Sequence, residues 1–344
     1  MDKLINHPLY REDLKEILSV SSVETLRGKT FLITGATGMV GSLLIDALMY
    51  LGGVNIYAIV RNKEKAEKRF AAYLGSANFN LLTQDVTVSF PKRLTADYIV
   101  PLASNTHPLA YSLYPVETML TNIEGAKNAL DLAAECGAMV LYPSTVEIYG
   151  NAADANTFAE QSNGKLSLST SRACYPESKR SCEAMCQSYA AERGVKVKIA
   201  RLCRVFGPTM LMTDSKASSQ FIIKALKSED IVLKSEGKQY FSYVYAAEAV
   251  KALLVILLHG NNCEAYNISS EKTDVHLRDF AELCAEAASR QVVFDLPSET
   301  ERKGYSVAET AILDNSKLIA LGFEPKYELR GAIMRTIEIL KDTK

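Results

Sequence analysis

The sequence predicts an α/β protein: a doubly wound parallel sheet followed by a smaller C-terminal α/β region. Three observations carry this expectation. Strand-like and helix-like segments alternate through about the first two hundred residues, a glycine-rich turn closes the first strand, and the alternation loosens after Gly207-Pro208. Alternation of this kind builds βα units, and right-handed crossovers then cover both faces of one parallel sheet.

The elements follow in order. Lys29–Thr34 is a short β-branched and aromatic run that reads as a strand, and Gly38–Leu51 carries apolar residues at helical spacing. Val54–Val60 reads as the second strand, Asn62–Tyr73 as a charged helix, Asn80–Gln84 as a third strand and Tyr98–Leu102 as a fourth. Helices are expected over Val116–Cys136 and Tyr175–Arg193, with strands at Ala138–Tyr142 and Val195–Leu202. Beyond Gly207-Pro208 the strands shorten (Ile231–Lys234, Ala265–Ile268). Helices recur at Ser219–Lys227, Ala246–Leu258, Leu277–Ala288 and Arg330–Lys341. The chain is thus expected to divide into an N-terminal helical extension (1–28), an alternating α/β part (29–206) and a C-terminal region (207–344). In the extension, Leu9, Leu14, Ile17 and Leu18 fall at near-helical spacing over Pro8–Leu18, which suits a docking helix or a dimer element.

Composition excludes several functions. The 344 residues are 48% hydrophobic and 23% charged, with a formal net charge of −1. No global field favours nucleic acid or an anionic membrane, so an anionic ligand must be held by local groups. The longest apolar run, Ala249–Leu258, contains Lys251 and is too short to span a bilayer. The start, MDKLINHPLYREDL, lacks the apolar core of a signal peptide. Seven cysteines form no CxxC pair, and Cys182 and Cys186 have no companion pair for zinc. The expectation is no metal and reduced, mostly buried thiols in a cytoplasmic protein.

Thr34-Gly35-Ala36-Thr37-Gly38-Met39-Val40-Gly41 lies between the first strand and its helix. A loop there must turn sharply, admit a pyrophosphate to the backbone and let the helix pack close. Each need disfavours a Cβ, and the helix N-terminus presents N–H groups to phosphates. This is the dinucleotide-binding (Rossmann) arrangement, with Gly35, Thr37, Gly38, Met39, Val40 and Gly41 as cofactor contacts. After the second strand stands Arg61, where NAD enzymes usually carry an acid. Arg61 either pairs with a 2′-phosphate, which leans toward NADP(H), or is a solvated residue at a helix start. Asp85-Val86, after the third strand, either meets the adenine or forms a turn.

Tyr175-Pro-Glu-Ser-Lys179 places a phenol and an ammonium on one helix face. A phenol is a poor base at neutral pH, but a nearby ammonium and an oxidised nicotinamide favour the phenolate. It can then take a proton from a sugar hydroxyl as hydride leaves carbon. A glycine loop, Ser144-Thr145 and this pair, in that order, form a strong combined signal.

With these residues in hand, the chain resembles the extended short-chain dehydrogenases that modify nucleotide sugars, over residues from about 29 to 330. TGATGMVG, LAS (Leu102, Ala103, Ser104), TNIEGAKNAL (121–130), STVEIYG (144–150), CYPESKR (174–180) and FGPTM (206–210) fall in the family's order. The resemblance implies a bound NAD(H) and a nucleoside-diphosphate-sugar substrate. It implies that Thr145 binds the substrate hydroxyl, Tyr175 is the base and Lys179 holds the nicotinamide ribose. Leu102, Ala103 and Ser104 line the cofactor, Ser104 also borders the substrate, and Asn122 supports the hydrogen-bond network. It further implies a homodimer through the helices Val116–Cys136 and Tyr175–Arg193.

Within that family the motifs are most similar to UDP-glucuronate decarboxylases, which carry T-x-E-V-Y-G and Y-x-E-G-K-R segments. The 4,6-dehydratases normally have an acid after the threonine, and Val146 stands there and cannot donate a proton. Glu147 either relays protons around a 4-keto sugar, orients the sugar, or forms a structural hydrogen bond; Glu177 is a weaker candidate of the same kind. Two positions depart from the pattern. Arg204 replaces a usual asparagine and offers a planar fork to a pyrophosphate or carboxylate. Gln239, in the stretch ending at Tyr243, stands where the decarboxylases carry an arginine, and Arg204 is the candidate to supply that charge. The alternatives are a 4-epimerase, a 4,6-dehydratase and, in a different class, a non-catalytic NAD(P)-binding regulatory protein.

Overall fold

The structure is a computed structural model that describes residues 3–106, 108–150, 157–295 and 309–343. Thr30–Thr34 forms the first strand; all but its first residue are buried, as a central strand covered on both faces requires. It hydrogen-bonds in parallel to Asn55–Val60 on one side and Tyr98–Pro101 on the other. Phe79–Thr83 extends the sheet beyond Asn55–Val60, while Met139–Thr145, Lys196–Leu202 and Ala265–Ile268 extend the opposite edge. The result is a seven-stranded parallel sheet. Strand order reverses around Thr30–Thr34, which opens a crevice at the carboxyl ends of the strands, where such sheets bind ligands.

The differences from the sequence reading have local causes. The charged helix covers only Lys63–Arg69, because the Asn62 side chain caps its start and Phe70 turns inward against Tyr73 and Phe79. The strand expected at Ala138–Tyr142 runs on to Thr145, its polar end held in register against Ala200, Arg201 and Leu202. The last strand, Ala265–Ile268, lies beyond Gly207-Pro208, so the C-terminal part of the chain completes the sheet. The buried helix Ala246–His259 covers it.

The remaining C-terminal residues build smaller sheets. Tyr240–Phe241 pairs with Val275–His276 and Thr310–Leu313, and the latter with Thr157–Phe158. Arg204–Phe206 pairs in parallel with Tyr243–Tyr245.

The helix Pro8–Ile17 docks on the body through buried Tyr10, Asp13, Leu14 and Ile17. Tyr10 donates to Asp46 in the helix that follows the glycine loop, and Arg69 pairs with the same carboxylate. Asp13 accepts from Tyr245 (2.6 Å), Tyr327 (3.0 Å) and Arg335 (2.8 Å). The extension therefore ties the helix that follows the glycine loop to the C-terminal part of the chain. Among the described residues, no helix is long and apolar enough to cross a membrane.

Candidate active site

The glycine loop is a tight cradle. Gly35 has φ +61°, and a Cβ there would stand 2.6 Å from the carbonyl carbon of Leu102 and 2.7 Å from the Ala103 nitrogen. A Cβ on Gly41 would stand 2.6 Å from the Gly35 oxygen. Gly38 caps the helix Met39–Leu51, whose first N–H groups lack intrahelical partners. Thr37, Met39 and Val40 are half-buried along the same turn. The Ala103 N–H donates to Thr34 Oγ1 (3.0 Å), which brings Leu102, Ala103 and Ser104 beside the loop. From the C-terminal part, Thr209 donates to the Met39 carbonyl (2.9 Å). This backbone-lined cradle fits a dinucleotide pyrophosphate. Gly35→Ala is expected to abolish tight NAD binding, measured by calorimetry on cofactor-stripped protein, because the new Cβ meets backbone that cannot yield.

At the adenosine end, Arg61 pairs with Glu117 (3.4 Å), both side chains more than half exposed. Its guanidinium is thus engaged by a carboxylate rather than held open for a phosphate. Asp85 accepts from the N–H and hydroxyl of Thr87 (2.9 Å each), the turn-forming reading. The Thr87 backbone bond holds its carboxyl below the usual range, and the charge of Arg61 adds to this. Val86 is buried against Gly125, and its carbonyl accepts from Asn128.

Tyr175 and Lys179 lie in the first turns of the helix Cys174–Arg193, both buried. Lys179 Nζ donates to the Pro143 carbonyl (2.9 Å) and stands 5.0 Å from the centre of the Tyr142 ring. Burial pulls its pKa down to about 8. Burial, and then the charge of Glu147, push the Tyr175 phenol up; hydrogen bonding by Thr145, the charge of Arg172 and hydrogen bonding by Tyr111 oppose them. Thr145 ends the strand Met139–Thr145 and faces this phenol. Ser104 donates to Asn122 (2.6 Å), Asn122 to Ser178 (2.8 Å) and Ser178 to the Tyr175 carbonyl (2.9 Å). That chain joins the end of the fourth strand to the tyrosine's helix.

Around this centre, Glu147 pairs with Arg172 (2.8 Å) and Glu177 with Arg180 (3.4 Å). Arg180 also donates to the Ile148 and Gly164 carbonyls, which gives Glu177 a structural partner. Val146 is buried in the core. Gln239 accepts from Ser235 (3.4 Å). Tyr243 is buried against Phe280 and Phe206, and burial raises its phenol to about 12. Its strand partner Arg204 lies with its guanidinium carbon 3.4 Å from the centre of the Phe241 ring.

Two residues at the site escaped the sequence reading. The Tyr111 ring stacks on Tyr175 with centroids 4.8 Å apart, and the Arg172 guanidinium stands 4.6 Å from the centre of the Tyr111 ring. Arg172 had one weak signal, its place three residues before Tyr175. Tyr111 had none, since it arrives from the separate short helix Pro108–Leu113.

UDP-glucuronic acid decarboxylase 1 of Xenopus tropicalis is 32% identical over 318 residues, 91% of this chain and 72% of that protein. UDP-glucuronic acid decarboxylase 3 of Arabidopsis thaliana is 30% identical over 305 residues, 88% of this chain and 86% of that one. Among solved structures, the UDP-glucuronic acid 4-epimerase of Bacillus cereus, in complex with UDP-glucuronic acid and NAD, superimposes with a TM-score of 0.79. It shares 18% identity, over 91% of this chain and 99% of that chain, a likeness of fold alone. The profile of the NAD-dependent epimerase/dehydratase family matches residues 31–269, and the chain belongs to that family.

Proposed function

We propose that this protein oxidises C4 of a nucleoside-diphosphate sugar, with UDP-glucuronate as substrate and loss of carbon dioxide as the outcome. The observation that supports it most is the buried Thr145–Tyr175–Lys179 group beside the glycine cradle. Gly35, Gly38, Gly41 and the Leu102–Ser104 backbone would hold NAD, and Lys179 its nicotinamide ribose. Bound there, NAD supplies a hydride acceptor for C4 and later a hydride donor. Thr145 orients the sugar 4-hydroxyl, and Tyr175, as phenolate, takes its proton. The 4-ketone makes the 6-carboxylate a β-keto acid. The C5–C6 bond breaks, its electron pair passes to the C4 oxygen as an enolate, and C5 then takes a proton that comes from solvent. Tyr175 finally returns its proton to O4 as C4 regains the hydride. Glu147, held by Arg172, orients the sugar rather than moving freely as a base. Buried Val146 offers no acid for a departing 6-hydroxyl, which speaks against dehydration.

The test is to add UDP-glucuronate, UDP-glucose and dTDP-glucose separately to NAD-loaded protein. Transient absorbance of reduced nicotinamide with release of carbon dioxide from UDP-glucuronate is expected. Bound NAD with no turnover of any sugar would favour a regulatory binding protein instead.

The reading includes a homodimer through Pro115–Cys136 and Cys174–Arg193. Val116 is 69% exposed on the first of these helices, near exposed Met119 and Leu120. Val116→Asp is expected to give a monomer by light scattering; an unchanged mass would remove that helix from the interface. All seven thiols are free, in keeping with the proposed cytoplasmic location.

A further inference from the structure

We infer that Arg204 makes this site selective for sugars that carry a 6-carboxylate, an assignment that rests on the nucleotide-sugar reading above. The case begins with a missing partner. Arg204 Nη1 is buried and has no hydrogen-bond acceptor among the described residues. Other guanidinium groups withdrawn from solvent are each held by a carboxylate: Arg69 by Asp46, Arg201 by Glu183 and Arg335 by Asp13. Among the described residues, Arg204 has no such pair. An unmet buried donor costs about 1–3 kcal/mol, and more when charged, so an orphan guanidinium in a crevice marks the place of an anion that arrives from outside.

Its surroundings fix its direction. The guanidinium stands over the Phe241 ring at 3.4 Å, a contact that holds the group in place through a face and leaves its N–H edges for an acceptor. Its backbone is pinned by the parallel pairing of Arg204–Phe206 with Tyr243–Tyr245. The groups whose charges act on it are Tyr243, Glu147, Cys203 and Arg172, and two of them, Glu147 and Arg172, stand close in the chain to Thr145 and Tyr175. Arg204 therefore belongs to the end of the crevice where the sugar reacts. Glu147 does not neutralise it, being committed to Arg172 at 2.8 Å. Gln239 carries no charge and accepts from Ser235.

A carboxylate meets a guanidinium edge with two parallel charge-assisted hydrogen bonds. The hydroxymethyl group of a neutral hexose offers no charge, so binding it would leave Arg204 buried and uncompensated. The same residue that welcomes a uronate thus disfavours a hexose.

The experiment is calorimetric titration of the NAD-loaded full-length protein with UDP, UDP-glucose and UDP-glucuronate. The wild type is expected to bind UDP-glucuronate about thirtyfold more tightly than UDP-glucose, the lower range for a buried charge pair. Arg204→Gln should bring that ratio close to one and change UDP affinity by less than about twofold, with UDP binding serving as the check on folding. Arg204→Lys, which keeps the charge but loses the fork, should retain part of the preference. Equal weakening of all three ligands in Arg204→Gln would place the side chain on the diphosphate and overturn the inference. So would an unchanged ratio, or a wild type without preference. A wild type that binds none of the three would overturn the nucleotide-sugar reading itself, which is a different result.

Discussion

Tyr175→Phe is expected to lower turnover of the nucleotide sugar by about 10²–10⁴-fold, the usual contribution of a positioned acid–base group, while NAD still binds. The expectation follows from position. The phenol is buried, stacked on Tyr111 and faces Thr145, and no other described side chain at the site matches its place as a proton acceptor. Burial and Glu147 raise its pKa in the protein alone, so the phenolate must be favoured by what joins it. A positive nicotinamide has the right sign. The phenylalanine variant preserves the ring stack and removes only the hydroxyl. The measurement is single-turnover reduction of bound NAD on mixing with UDP-glucuronate. A variant that reduces NAD within about threefold of the wild-type rate would show that another group takes the proton.

Asp13→Ala should cost about 3–5 kcal/mol of unfolding free energy, the range for removing one member of a buried ion pair. Asp13 is 1% exposed and joins three elements: Tyr245 on the short strand beside Arg204, Tyr327 before the last helix, and Arg335 within it. Burial pushes its carboxyl up, against the opposing charge of Arg335 and the hydroxyls of both tyrosines. Alanine would leave Arg335 without its buried partner and two phenols without acceptors. Asp13→Asn, which keeps acceptor capacity, should lose less. Urea denaturation of both variants checks this. Equal, small losses would mean that the N-terminal helix is held by its other contacts, among them Tyr10, Leu14 and Ile17.

Much of the fold was legible because its signals are local. Thr30–Thr34 and Asn55–Val60 announce themselves by β-branched runs, and Met39–Leu51 by helical spacing. The glycine loop was legible for the same reason: at Gly35 and Gly41 a Cβ would stand 2.6 Å from backbone atoms, closer than van der Waals contact allows, a demand that sequence context conveys. Element ends were less so. Whether Phe70 continues a helix or turns inward depends on Phe79, which only the packed structure supplies.

The sequence by itself determined the glycine loop and the Tyr175–Lys179 pair, since residues one turn apart on a helix meet wherever that helix goes. Only the tertiary structure decided what surrounds them. It brought Tyr111 and Arg172 to the tyrosine, gave Arg61 to Glu117 and Asp85 to a turn, and placed Ala265–Ile268 at the sheet edge. It also left Arg204 without an acceptor. The physical reason is that partners of a charge or a ring are set by which distant segments converge, and spacing along the chain carries no record of that.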